Sequence, residues 1–180
     1  MMKNIFGLTL IILVLFPNFN LSCAGDPYVK TTEIKCKDVK VQIKTECLDD
    51  TNKAFPNCIS QNISFIDYKT GKSITIPSSG KLTKNSYDPI RILDTLVSKL
   101  ACVEGGNAIY LLIGYYNGGN CEECEWYEIL DLSGKNLASS RKIKGLKGKY
   151  ENFNEAYKKF GLPEPWPRKF FVDINLSRNK

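Results

Sequence analysis

The first residues that could do chemistry are the two cysteines of Cys121-Glu-Glu-Cys124. This is the spacing of dithiol oxidoreductases, whose reactive sulfur needs a helix N-terminus or a nearby cation to favour the thiolate. Here the neighbours Glu122, Glu123 and Glu125 are acidic and disfavour a thiolate. A single cysteine pair also offers zinc only two ligands. We therefore expect a structural disulfide, with a redox pair and a metal site as the alternatives.

Acidic side chains form a second group with catalytic chemistry. They are Glu104, Glu122, Glu123, Glu125, Glu128 and Asp131. The chain contains no histidine, which excludes Ser-His-Asp and Cys-His nucleophilic catalysis. A pair of carboxylates can cleave a glycoside without histidine, whereas acids at a hairpin tip are ordinarily solvated. We favour a protein that is not an enzyme, with no catalytic residue, no cofactor and no metal site.

A third group consists of aromatic residues around a glycine-rich loop. Its members, the candidate contacts for a protein partner, are Tyr115, Tyr116, Asn117, Gly118, Gly119, Asn120 and Trp126. Rigid aromatic side chains on constrained loops suit protein recognition. The alternative is that these rings fill the core or cover its edge.

The cysteine count and the N-terminus point to export. Lys3 precedes an apolar run over residues 5–16 and then small residues, as in a secretory signal. We expect residues 1–24 to be a cleaved signal, with a lipoprotein-type signal ending before Cys23 as a variant in which that cysteine carries a lipid. The protein would then be periplasmic, on the cell surface or extracellular, and only such a lipid would attach it to a membrane.

Six further cysteines lie in the body of the chain, residues 25–180, which we expect to be one globular domain. They are Cys36, Cys47, Cys58, Cys102, Cys121 and Cys124. An even set in an exported chain predicts three disulfides, and fifteen pairings are possible. A bond from Cys102 to Cys121 or Cys124 would join a helix to a hairpin.

The formal net charge of +6 is concentrated in a basic run that begins at Arg141. Such a run can bind nucleic acid, anionic lipid or glycan. This one lacks the interleaved aromatics of single-strand binders and matches no DNA-reading motif. We therefore expect a solvated loop and no nucleic-acid partner.

Hydrophobic periodicity predicts the elements that position these residues. Strands are expected at Val39–Cys47, Ile63–Tyr68, Ser73–Ile76, Ala108–Tyr116, Trp126–Leu132, Asn136–Ala138 and Lys169–Leu176, and helices at Pro89–Cys102 and Phe153–Phe160. The Ala108–Tyr116 run is apolar throughout, as in a central strand covered on both faces. The predicted fold class is α+β: an antiparallel sheet with one central amphipathic helix and a short C-terminal helix, stabilised by disulfides.

These observations together favour an exported, non-enzymatic module that binds a protein, such as an inhibitor or an immunity-type protein. Export, small size, the lack of histidine and the aromatic hairpin loops support this interpretation. The alternatives are a secreted enzyme that cleaves glycans with a carboxylate pair, and a secreted effector or toxin.

Overall fold

The protein is built from two antiparallel β-sheets that pack face to face. The structure is a computed structural model and describes residues 26–48, 55–85, 88–141, 153–163 and 171–176. The predicted signal, Cys23 and the basic run after Arg141 lie outside these ranges. The statements below concern the described residues.

The first sheet is a meander of four strands in the order β1-β2-β3-β4. Its strands are β1 (Tyr28–Cys36), β2 (Val39–Cys47), β3 (Cys58–Asp67) and β4 (Ser73–Pro77). The strict alternation of β2, with Val41 and Ile43 buried, turns one face of the sheet inward. The expected strand over Val39–Cys47 is therefore confirmed, and β1 and β4 are the edges.

The second sheet has five strands in the order β10-β9-β8-β7-β11. Its strands are β7 (Leu96–Gly105), β8 (Ala108–Tyr116), β9 (Glu125–Asp131), β10 (Asn136–Ser139) and β11 (Val172–Asp173). As predicted, β8 lies in the middle of the sheet and is buried on both faces. A separate hairpin, β5 (Leu82–Asn85) with β6 (Asp88–Leu93), joins the two sheets along the chain.

Two hydrophobic clusters explain why β8 is apolar on both sides. The larger cluster lies between the sheets and includes Val41, Ile43, Ile63, Phe65, Leu100, Leu111, Ile113 and Leu130. The smaller covers the outer face of the second sheet, where Ala101 and Leu112 meet Tyr157 and Leu162. Tyr157 belongs to the helix α1 (Phe153–Lys159), which therefore shields this face from water.

The α+β prediction with a central amphipathic helix is wrong. Residues of the expected helix Pro89–Cys102 form β6 and β7, separated by Asp94 and Thr95, and most of the described chain is strand. The Asp94 carboxylate accepts a hydrogen bond from the Lys81 amide at 2.7 Å and closes the β5–β6 hairpin. Because β7 is covered on both faces, its apolar residues do not alternate, and a run of this kind also fits helical spacing.

Three disulfides cross-link the fold, as expected from the cysteine count. The pairs are Cys36–Cys102, Cys47–Cys58 and Cys121–Cys124. The suggested bond from Cys102 to Cys121 or Cys124 is not the one formed, because Cys102 lies on β7 opposite β1 rather than at the end of a helix. Three disulfides are typical of a protein in an oxidising compartment.

Candidate functional site

The loop between β8 and β9 is exposed but tightly held. Asn117, Gly118 and Asn120 are exposed, and Gly119 is half-buried. The Gly119 amide donates a hydrogen bond to Asn117 Oδ1 at 3.0 Å, and the Asn117 amide donates to the Cys124 carbonyl at 3.1 Å. Both bonds fix the backbone of the loop.

Two glycines in this loop cannot be replaced by larger residues without backbone strain or a steric clash. Gly118 has φ of +86°, in the left-handed region that favours glycine. A Cβ on Gly118 would lie 3.1 Å from Phe55 Cγ, and one on Gly119 would overlap Cys124 Sγ. The loop backbone thus packs directly on the Phe55 ring and on the disulfide.

The Cys121–Cys124 disulfide closes a single 3-10 turn, Glu122–Cys124, that follows the loop. Cys121 is exposed and Cys124 is buried. The Cys121 amide donates a hydrogen bond to Cys124 Sγ at 3.2 Å. We refer to residues 117–124 as the clipped loop, because the disulfide fastens the loop to its own turn.

The aromatic residues predicted as partner contacts differ in their exposure. Tyr115 and Trp126 are each 2% exposed, and their rings stack with centroids 5.3 Å apart. Tyr116 is half-buried and meets Phe55 edge to face at 5.6 Å. Tyr115 and Trp126 therefore support the base of the clipped loop, while Tyr116, Asn117, Gly118 and Asn120 reach solvent.

A buried polar cluster lies beside this aromatic pair, between the sheets. Glu128 is only 9% exposed, and the Tyr115 hydroxyl donates a hydrogen bond to its carboxylate. Ser79 Oγ lies 3.4 Å from the Tyr115 hydroxyl. Burial raises the pKa of Glu128, and burial together with the nearby Glu128 charge raises the pKa of Tyr115.

A groove of about 500 Å³ runs along the sheet edge next to the clipped loop. Its lining residues include Glu123, Glu125, Trp126, Tyr127 and Arg141. The Arg141 guanidinium lies over the Trp126 ring, 4.1 Å from its centroid, so Trp126 is sandwiched between Tyr115 and Arg141. We call this space the arginine groove.

A smaller groove of about 360 Å³ adjoins the arginine groove, since Glu125 and Tyr127 line both. Lys99, Phe171 and Asp173 complete its lining. Lys99 Nζ lies 3.8 Å from Glu125 Oε1, and the Tyr127 and Phe171 rings are 5.7 Å apart. The two grooves combine charges of both signs with an aromatic floor.

The acidic residues singled out in the sequence occupy different environments. Glu123 and Glu125 line the arginine groove, whereas Glu128 lies between the sheets. Asp131 Oδ1 accepts hydrogen bonds from the amides of Ser133 and Lys135, at 2.9 and 3.0 Å, and holds the turn between β9 and β10. Among the carboxyls that the structure describes, the one whose pKa is raised by burial, Glu128, is therefore not a groove residue.

Sequence reasoning missed the stacking of Arg141 on Trp126 and the burial of Glu128. The sequence pattern placed Arg141 at the start of a solvated basic run. It placed Glu128 among several acidic residues near a hairpin. The alternation of β9 was the available signal for Glu128, because Trp126, Glu128 and Leu130 must share a face of that strand.

Neither a metal centre nor a membrane-spanning helix is found in the described part of the chain. In those residues, histidine, cysteine and acidic side chains do not gather in threes close enough to hold a metal ion. The helices described there are too short to cross a bilayer. Comparison of the whole chain with family models, with curated proteins and with solved structures found no match.

Proposed function

We propose that this protein is an exported, non-enzymatic binding module of the inhibitor or immunity type, and that its partner is a protein that docks on the clipped loop. The observation that carries the proposal is that this loop is both exposed and immobilised. Its backbone is fixed by two hydrogen bonds, by the Phe55 ring and by the Cys121–Cys124 disulfide.

A fixed, exposed loop is favourable for binding because less conformational entropy is lost when a partner docks. The rigid support continues below the loop, where Tyr115 and Trp126 stack in the core. The exposed surface offers the edge of Tyr116 and two asparagine side chains, Asn117 and Asn120. Such a mixture of aromatic and amide groups gives both apolar area and hydrogen bonds to a protein surface.

Export is supported by two independent features. The N-terminal sequence has the order of charge, apolar run and small residues that a secretory signal requires. The three disulfides suit an oxidising compartment such as the periplasm or the cell surface.

A partner capture with matched loop variants tests the proposal. The full mature chain with intact disulfides is used as bait in an extract of the organism that produces it. Asn120→Arg places a bulky charge on the clipped loop, and the control Asn107→Arg makes the same change in the exposed turn between β7 and β8. We expect a captured protein that is lost with Asn120→Arg and retained with Asn107→Arg. Capture that is equal for both variants, or no capture, would refute the proposal.

One observation favours the glycan-cleaving alternative, namely that Glu123 and Glu125 line the same groove. Two carboxylates across a sugar-binding groove are the requirement for that chemistry. Incubation of the protein with peptidoglycan and with chitin tests it directly. Turnover that is abolished by Glu123→Gln or Glu125→Gln would establish the enzyme and displace the binding module.

A further inference from the structure

We propose that the arginine groove and its neighbour bind an extended segment of the partner protein, and that Arg141 holds an acidic side chain of this segment. This inference rests on the proposed function and specifies which part of a partner the site recognises. It assigns a specific role to a residue that the sequence placed in a solvated loop.

Arg141 is positioned for recognition by its backbone and by stacking. Its amide donates a hydrogen bond to Ser139 Oγ at 3.2 Å, and its guanidinium lies over the Trp126 ring, 4.1 Å from the ring centroid. Within the described residues, the guanidinium itself makes neither an ion pair nor a hydrogen bond. A guanidinium carries five donors in a planar fork that matches a carboxylate in two parallel hydrogen bonds. The contact with Trp126 places the guanidinium at the groove before any ligand arrives.

Glu128 is the acidic side chain whose charge interacts with Arg141, and it does not take the place of such a ligand. Arg141 acts on Glu128 through its charge, but burial raises the pKa of Glu128 and so disfavours its charged form. Glu128 also takes hydrogen bonds from Tyr115, Ser79 and Asn136. The fork of Arg141 therefore remains available on the groove side.

Trp126 carries a buried donor beside the groove. Its indole is 2% exposed, lines the arginine groove, and has an Nε1 atom without an acceptor among the described residues. An indole N–H only donates, and a buried donor without a partner is costly. The aromatic floor under Arg141 therefore retains an unused donor.

The charges of the adjoining grooves indicate a peptide rather than a polyanion. Glu123, Glu125 and Asp173 line them together with the two cations Arg141 and Lys99. A nucleic acid would meet three carboxylates, whereas a peptide can present an acidic side chain to Arg141 and basic or apolar side chains elsewhere. The rings of Tyr127 and Phe171 offer apolar contact between the charged ends. Because a segment has several side chains and at most one end, we assign the carboxylate to a side chain.

Selection from a displayed random heptapeptide library, with the full disulfide-bonded chain as target, tests this inference. The enriched peptides are then synthesised with amidated C-termini. We expect them to share an acidic residue and to bind at least about tenfold more weakly to Arg141→Gln, since a charge-assisted bond to carboxylate is lost. Arg141→Lys should recover part of the affinity, because it restores the charge without the fork. The matched control Lys135→Gln removes an exposed cation from the β9–β10 turn and should leave binding unchanged.

A change in the peptide keeps the test valid if an Arg141 variant folds poorly. Replacing the shared acidic residue by its amide should weaken binding to the unaltered protein as much as Arg141→Gln does, and combining both changes should add little. Failure to enrich any peptide, equal affinity for the unaltered chain and Arg141→Gln, or binding that requires a free C-terminal carboxylate would each overturn the inference. Capture of a partner that depends on Asn120 but not on Arg141 would overturn it and leave the proposed function intact. If neither Asn120→Arg nor Arg141→Gln abolishes capture, the proposed function is refuted instead.

Discussion

Two of the disulfides lie in regions of opposite character. Cys36–Cys102 joins β1 to β7, and hence one sheet to the other, with a sequence separation of 66. Cys121–Cys124 encloses a single turn, with a separation of three. Chain-entropy arguments give about 4 kcal/mol for the first loop and about 1.5 kcal/mol for the second. The first disulfide thus stabilises the sandwich, whereas the second mainly shapes an exposed loop.

The largest expected effect comes from removing the bond between the sheets. The double change Cys36→Ala with Cys102→Ala should lower the free energy of unfolding by about 4 kcal/mol, as measured by urea unfolding. The pair Cys47→Ala with Cys58→Ala is the matched control, and its separation of 11 residues predicts a loss of about 3 kcal/mol. Equal losses from Cys36–Cys102 and Cys121–Cys124 would break the comparison.

A buried hydrogen-bonded side chain should reinforce the same region. Gln61 on β3 accepts a hydrogen bond from the Val97 amide at 2.7 Å and donates one to Thr45 Oγ1 at 2.9 Å. Gln61→Leu leaves the Val97 amide without its acceptor, which should cost about 2 kcal/mol of unfolding free energy. The control Gln42→Leu removes an exposed hydrogen bond to Glu33 on the outer face of the same sheet and should change stability by less than about 1 kcal/mol. If both changes lowered the free energy of unfolding by similar amounts, the hydrogen bond between the sheets would contribute no more than one on the outer face.

The sequence predicts β2 and β8 correctly but does not predict β1, β5, β6 or β7 as strands. Apolar and polar residues alternate along β2 because one face is buried and the other faces solvent. β8 is apolar throughout because both of its faces are covered. The double cover of β7 gave a run that looks helical together with β6, since Leu93, Val97 and Leu100 fit a helical period as well as a strand. β6 pairs with β5, and β7 pairs with β8 and β11, and no local pattern reveals these partners.

Opening the Cys121–Cys124 bond should have a modest effect on stability and a larger one on binding. Cys121→Ser with Cys124→Ser should lower the free energy of unfolding by about 1.5 kcal/mol and weaken partner capture, because the clipped loop would lose its fixed shape. Unfolding curves and capture are measured on the same preparation. A stability loss as large as that of the bond between the sheets, or capture unaffected by the change, would contradict this assignment.

The smallest effect concerns pH and the buried carboxyl near Trp126. Burial raises the pKa of Glu128 in the folded state. The stabilisation that protonated Glu128 contributes to folding is therefore fully present below the unfolded value of about 4.3, and it is lost as pH rises through the folded pKa. Glu128→Gln cannot titrate, and its stability relative to the unaltered protein should rise across that window by less than about 1.4 kcal/mol per pH unit. Urea unfolding at several pH values measures this.

A constant difference between Glu128→Gln and the unaltered protein across the pH series would show that the buried carboxyl does not take up a proton on folding.

The candidate site was predictable in part. The sequence identified the loop at Asn117–Asn120 and the cysteine pair that follows it, because glycine, asparagine and cysteine spacing are local signals. It left open whether the aromatic rings contact a partner or fill the core, since an aromatic run does not show which ring faces the other sheet, and Tyr115 and Trp126 lie in the core. It also gave no sign that Arg141 lies on Trp126, which depends on the pairing of β10 beside β9.

The position of β1 at the edge of the first sheet has a consequence for how the protein resists aggregation. Nine residues of regular backbone along this edge could template a foreign strand. Lys30, Glu33 and Lys35 interrupt that template, because stacking identical copies in register would place like charges opposite each other. Replacement of these three residues by uncharged ones would remove this protection, and fibril growth in concentrated solution would be the sign of its loss.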